Sequence, residues 1–195
     1  MSVPVFAGRV SEVTRRLRAA AVVVASPFTL QQQVQDWGGR AWEFDITLAP
    51  HVGADARRLS AFFDMIAPRR AFLFSDPTLV QSVIGVPVVD GAGQTGTTLA
   101  LSGFLPNFPA LYAGDFLSLG TGLDTRLYRV TADAQADATG RAVLQIVPPL
   151  RSSPANGATV NVTAPQVLLR LTDEVPSSIG AARIHRFAFS AVEAL

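Results

Sequence analysis

Helical periodicity fills one window of this 195-residue chain, and that scarcity constrains the fold more than any other feature. Leu59, Phe62, Phe63 and Ile66 stand at i, i+3, i+4 and i+7, the spacing of a helix that buries one stripe. Asp55 near its start suits the positive end of the helix dipole, and Pro68 ends it. Elsewhere the chain reads as strands. Ala71 to Phe74 is a buried strand closed by the Asp76-Pro77 turn. From residue 85 onward, short strands at Val86–Val89, Thr97–Leu101, Asp115–Leu119, Thr125–Thr131, Ala142–Val147 and Thr159–Val162 alternate with Gly, Pro, Asn and Asp turns. Spacings near ten residues suggest a small barrel or sandwich. Longer strands return at Val167–Leu171 and Ile184–Val192, where Phe187, Phe189 and Ala191 alternate with Arg186, Ala188 and Ser190. The expected fold is mainly β (α+β). Residues 1–84 and 166–195 form one domain, a β-sandwich with one flanking helix and a long hairpin, and 85–165 form an inserted small β module.

The hairpin is placed by Asp36-Trp37-Gly38-Gly39-Arg40, read as a three-residue loop that pairs Asp36 with Arg40, Gly39 taking the left-handed position. That register sets Val34 opposite Trp42, Gln32 opposite Phe44 and Leu30 opposite Ile46 on an apolar face. The other face pairs Gln35 with Ala41, Gln33 with Glu43 and Gln31 with Asp45, and is polar and mildly acidic. Upstream, Arg15-Arg16-Leu17-Arg18 followed by Ala19 to Ala25 superficially copies a signal segment. Val22, Val23 and Val24 favour a strand instead. No window approaches the ~18–20 apolar residues of a membrane span.

Composition narrows the chemistry. All sixteen cations are arginine, cysteine is absent, and histidine occurs only at His51 and His185. Lacking lysine, the chain has no Walker-type phosphate loop and no Schiff base; lacking cysteine, it has no disulfide framework, thiol nucleophile or Cys-type zinc site. A net charge of +1 gives no electrostatic footprint for nucleic acid. Charged residues are 16% of the chain, against a usual ~25%.

The remaining motifs weigh lightly. Gly91-Ala92-Gly93-Gln94-Thr95-Gly96 spells a dinucleotide fingerprint, but the strand-like Thr97-Thr98-Leu99-Ala100-Leu101-Ser102 follows where a helix is needed, so it reads as a hairpin loop. His51 with Asp55 or Asp64 could pair a base with a carboxylate, but no serine sits in a G-x-S-x-G elbow. Both histidines read as structural or surface residues. Glu43 and Asp45, on one side of a strand ~7 Å apart by strand rise, loosely fit a glycosidase spacing, and Asp173-Glu174 is a second acidic pair. Asn161-Val162-Thr163 matches a glycosylation acceptor without a secretory context. Arginine pairs at Arg15/Arg16, Arg57/Arg58 and Arg69/Arg70 are solvated faces or, since arginine is favoured where proteins meet, subunit contacts; Arg57, Arg58, Arg69 and Arg70 are the candidates for that role.

Several segments resemble the distal tail proteins of long-tailed, siphovirus-like bacteriophages and phage-derived gene transfer agents. The resemblance is carried by Asp36-Trp37-Gly38-Gly39-Arg40-Ala41-Trp42-Glu43 running into Ile46-Thr47-Leu48, by Phe72-Leu73-Phe74-Ser75-Asp76-Pro77, by Ala113-Gly114-Asp115-Phe116-Leu117-Ser118-Leu119-Gly120 with Leu127-Tyr128-Arg129-Val130, and by Phe189-Ser190-Ala191-Val192-Glu193. It implies a tail-tube-like β-sandwich with a flanking helix and an extra β domain. It also implies assembly into a hexameric ring between tail tube protein and baseplate hub protein, around the DNA channel of a virion tail. It implies no catalytic residues, no cofactor and no membrane. In such a ring Gln31, Gln33, Gln35, Glu43 and Asp45 would line the lumen, where cations would hold DNA phosphate. Another tail component (tube, adaptor or tail-completion protein) is the alternative, and a hydrolase a distant one.

Overall fold

A computed structural model describes residues 2–66, 70–79, 81–179 and 183–195. Pro68 and Arg69, assigned above to a helix stop and a subunit contact, lie outside the described residues. Strand accounts for 51% of the chain and helix for 11%, so the protein is mainly β, with antiparallel sheets.

The chain opens with two long strands, β1 (Val10–Ala25) and β2 (Gln32–Leu48), paired antiparallel from Val10↔Leu48 to Ala25↔Gln32. The hairpin turn therefore lies between Ala25 and Gln32, and residues 36–40 are not a hairpin tip. Ser26 Oγ accepts from the N–H groups of Phe28 (3.4 Å) and Thr29 (3.3 Å), and Leu30 takes the left-handed conformation at φ 57°. The Asp36–Arg40 chemistry is real but serves another purpose. Ala21 pairs with Asp36 and Ala19 with Arg40, so Trp37, Gly38 and Gly39 bulge out opposite Ala20 alone. Gly38 adopts φ 73° and donates its N–H to Asp36 Oδ1 at 2.8 Å, and Arg40 reaches back to Asp36 at 3.4 Å. Trp42 consequently faces Leu17, and Val34 faces Val23.

Short β3 (His51–Val52) leads into α1 (Gly53–Ile66), whose Leu59, Phe63 and Ile66 are buried as the periodicity requires. β4 (Phe72–Ser75) follows. Eight strands then run from β5 (Gly85–Val89) and β6 (Thr98–Phe104) through β7 (Pro109–Leu111), β8 (Phe116–Leu119), β9 (Arg126–Val130) and β10 (Ala134–Gln135) to β11 (Arg141–Val147) and β12 (Val160–Asn161). β13 (Gln166–Leu171), β14 (Ser177–Ile179) and β15 (Ile184–Glu193) complete the chain.

The first sheet has the order β1-β2-β15-β13-β4, with β3 and β14 also on β15. Its inner face carries Trp42, Phe44, Ile46 and Leu48 from β2 with Phe187 and Phe189 from β15, all buried in one core with Leu59, Phe63 and Ile66 of α1. Phe6 enters this layer from the N-terminal segment and meets Phe62, Phe74 and Phe189 at 5.7–5.8 Å between ring centres, separations typical of attractive aromatic pairs.

The second sheet has the order β12-β8-β9-β11-β6-β5 and curls until its ends meet. Val88 bridges to Thr159, and Val89 N–H donates to Ala158 O at 2.9 Å, leaving a nearly closed barrel. Leu99, Leu101, Leu117 and Leu144 fill it with essentially no exposure. Turn chemistry fixes its hairpins. Asp137 Oδ1 accepts from Thr139 N–H (2.7 Å), Thr139 Oγ (2.7 Å) and Arg141 N–H (3.0 Å). These bonds, the hydroxyl's first, hold the Asp137 carboxyl below its usual pKa. Gly140 at φ 78° completes that turn, and a Cβ there would stand 2.4 Å from Phe104 O. The Gly91–Gly96 loop is likewise a connection between strands: Gln94 donates to Asp90 O (3.0 Å) and Ala100 O (3.1 Å), and β6 follows.

A buried polar clamp joins the two sheets. Glu193, 4% exposed, accepts through Oε2 from Trp42 N–H at 3.2 Å and Arg151 Nη2 at 3.0 Å. Arg151 also donates to Arg40 O and, through its backbone N–H, to the Tyr128 hydroxyl at 3.2 Å. Trp42 Nε1 donates to Leu127 O at 3.0 Å. Burial pushes the Tyr128 phenol above its ordinary pKa, with the Arg151 N–H pulling the other way.

Candidate functional site: an open sheet edge and its arm

The two edges of the first sheet differ. Residues 4–6 cover β4, with Leu73 N–H donating to Pro4 O and Phe6 N–H to Leu73 O, both at 2.8 Å. On the other side β1 is terminal, and among the described residues β2 is its one strand partner. An uncovered strand of this length presents a row of backbone donors and acceptors ready to pair with another chain.

Beyond Ala19 the β1–β2 hairpin also leaves the body of the protein. Of residues 19–39 only Ser26 is even half-buried. The surface of this arm is nevertheless apolar: Val23, Val24 and Val34 are 58–61% exposed, and Phe28 at the turn is 94% exposed. A free two-stranded ribbon is marginal in water, and contiguous exposed apolar side chains mark surfaces that meet a partner. The strand reading of Val22–Val24 holds, since all three lie in β1.

The sequence-derived lining residues distribute as follows. Glu43 and Asp45 lie on the outward face of β2, opposite buried Phe44 and Ile46. Gln33 and Gln35 lie on the arm beyond the bulge, where they pair with Val24 and Val22. Gln31 is in the turn, where its carbonyl accepts from Ser26 N–H at 2.9 Å. The expected acidic character of this face is corrected by the true partner strand. β1 brings Arg16 to Asp45 at 2.5 Å and Arg18 to Glu43 at 3.1 Å, so the face is ion-paired. Arg170 and Arg186 are exposed on neighbouring strands β13 and β15. Ser190 Oγ donates to Asp45 at 2.6 Å. Asp173 and Glu174 border the shallow cleft in which Asp45 lies.

Arg57 and Arg58 are exposed on α1, Arg58 pairing with Asp55 at 3.4 Å, and exposed Arg70 donates to Ser2 O at 3.4 Å. Asp55 thus meets an arginine. His51 is buried in β3 across from His185. Asn161 spends its amide on a turn, donating to Ala164 O at 2.7 Å and accepting from Ala164 N–H at 3.1 Å. Among the described residues no group of three His, Cys, Asp or Glu side chains could hold a metal ion, and no helix is long and apolar enough to cross a membrane.

Two features escape sequence reasoning. A cleft of about 730 Å³ runs beside β1 where the two sheets meet, and in it Arg15 and Arg129 stand over the Phe116 ring at 5.4 and 5.6 Å. Arg15 is held by Asp76 at 2.8 Å. The Arg151–Glu193 clamp is the other; a buried acid near a chain terminus is its only trace in the sequence. No protein-family model matches the chain, and no curated protein matches it.

Proposed function

We propose that the chain is a ring-forming structural protein of a phage-type virion tail, assembled in the bacterial host cytoplasm, which joins the tail tube protein to the baseplate hub protein around the DNA channel. The observation that carries this reading is the arm: an open edge strand continued into a solvent-standing ribbon of valines and aromatics. In a closed ring each copy's β1 edge meets a neighbour and the apolar arm surface is covered, so no edge is left over. The tail-tube-like sheet with its flanking helix is the fold that the resemblance of Asp36–Glu43 and Phe72–Pro77 implies. Low charge supports the reading too, because a surface covered by identical neighbours needs fewer charges for solubility.

The outward face of the sheet then becomes the bore. Gln33 and Gln35 are neutral, Glu43 and Asp45 offset Arg18 and Arg16, and Arg170 and Arg186 stand exposed on neighbouring strands of the same face, so the bore in this reading is mixed in charge rather than free of cations. Six copies close the ring in the proportion the resemblance implies. Electron-microscopy class averages of the purified full chain test this: sixfold rings with an open bore are expected. Particles without a bore, or chains that stay single at every concentration, contradict it.

A further inference from the structure

The cleft where the two sheets meet opens along the free edge of β1. Val13, Arg15 and Leu17 alternate along that strand, so their side chains share one face, and all three line the cleft. Thr14 points to the other face yet lines it too, so the cleft reaches around the edge of the strand. Val13 and Leu17 pack partly against the core of the first sheet, while Arg15 and Arg129 both stand over the Phe116 ring. Arg15 is engaged by Asp76 at 2.8 Å and by the Thr78 hydroxyl at 3.1 Å. Arg129 is exposed, and among the described residues no carboxylate lies within ion-pair distance of it. Asp115, the carboxylate that lines the cleft, accepts instead from Tyr112 N–H at 2.8 Å. Arg129 thus faces the cleft without a counter-charge.

A strand added to this edge sets alternate side chains opposite Val13, Arg15 and Leu17. The middle position meets two guanidiniums, and the outer two meet apolar surface. We propose that β1 from Val13 to Leu17 takes an extended segment of another protein, in which a large apolar residue, an acidic residue and a second large apolar residue stand at i, i+2 and i+4. Main-chain hydrogen bonds to β1 hold the segment, and its carboxylate is received by Arg129 and Arg15. A neutral or basic residue in the middle leaves Arg129 unpaired, so charge selects the partner. A second copy offers no such segment in extended, exposed form among its described residues. The pattern occurs twice in this chain: Phe62-Asp64-Ile66 lies in α1, and Leu171 of Leu171-Asp173-Val175 is buried in the core of the first sheet. The arm half of β1 stays open to identical copies, so the site does not depend on the ring reading.

Fluorescence anisotropy with the full chain tests this, using the labelled peptide Thr-Val-Thr-Glu-Thr-Val-Thr and its Gln counterpart as probes. Saturable binding of the Glu peptide is expected, with the Gln peptide about tenfold weaker, the scale of one lost charge-assisted hydrogen bond. Arg129→Gln, at an exposed position, weakens the Glu peptide by about the same factor and leaves the Gln peptide unchanged. Further versions of the Glu peptide carry N-methyl groups on one or the other alternating set of amides. Methylation of the set that faces β1 abolishes binding and methylation of the other set does not, because an added strand pairs through one edge. No saturable binding, equal affinity for the Glu and Gln peptides, indifference to Arg129→Gln, or the same response to both methylation patterns overturns the proposal. Release of single chains from an assembled particle by the peptide also overturns it, and assigns this edge to a second copy. Absence of sixfold rings leaves all of these readouts unchanged.

Discussion

The two sheets of this protein solve the edge problem in opposite ways. In the second, β5 and β12 meet, and the strands close around Leu99, Leu101, Leu117 and Leu144. In the first, the β4 edge is covered by residues 4–6, but β1 stays open and continues into an arm that no part of the described chain covers. The same β1–β2 ribbon contains both situations. At its root, Trp42, Phe44 and Ile46 are buried in the core they share with α1 and β15, while past the Trp37–Gly39 bulge Val34 and Val23 face water. The barrel and the root are complete as folded. The arm has strand sequence and strand geometry but, among the described residues, no second layer.

That contrast is open to mutation, starting where the effect is largest. Phe44→Ala at the root removes a fully buried ring and should cost about 3–5 kcal/mol, read as a lowered denaturant midpoint. Glu193→Gln leaves the Arg151 guanidinium beside a neutral amide at a side chain with 0% exposure, and should cost about 3 kcal/mol. The Arg151→Met, Glu193→Leu pair should recover much of that loss in the same assay, because burying two apolar groups avoids both desolvation terms.

Tyr128 gives a smaller and pH-dependent effect. Its folded pKa is raised above the ordinary value of 10.0, so the neutral phenol belongs to the folded state. Its contribution is complete below pH 10.0 and falls away as pH rises through the raised folded value. The chain holds no lysine, and arginine stays charged there. An alkaline stability profile should therefore slope downward above pH 10.0 and flatten in Tyr128→Phe. Smallest of all, Val23→Ser and Val34→Ser on the arm should change the stability of the single chain by no more than about 0.5 kcal/mol, while abolishing assembly.

Much of the fold is legible in the sequence because local periodicity coincides with tertiary burial. Leu59, Phe63 and Ile66 recur at the helical period and are buried on that stripe, and the strand windows from Val86 to Val147 correspond to β5, β6, β8, β9 and β11, whereas the short β7 and β10 have no window of their own. The hairpin is misread for a physical reason. Asp36-Trp37-Gly38-Gly39-Arg40 carries stronger turn chemistry than Ser26-Pro27-Phe28-Thr29-Leu30-Gln31, which has no glycine, yet a bulge uses a left-handed glycine (Gly38, not the expected Gly39) and the same Asp–Arg pair as a turn. That error carried over to the candidate site, because pairing Glu43 and Asp45 with glutamines hid Arg18 and Arg16. Nor can alternation alone reveal that the arm lacks a second layer: Val22–Val24 reads the same whether it is covered or bare. The Arg151–Glu193 contact spans 42 residues and joins two sheets, beyond the reach of any local pattern.

The central claim is that the arm's bare apolar surface is completed by identical copies. Native mass measurement of the full chain beside its Val23→Asp, Val34→Asp variant tests that most directly. The account predicts a particle of six times the 20.6 kDa chain mass for the unaltered protein, and a single chain of unchanged melting temperature for the variant. A single chain in both samples, or the same particle in both, contradicts it.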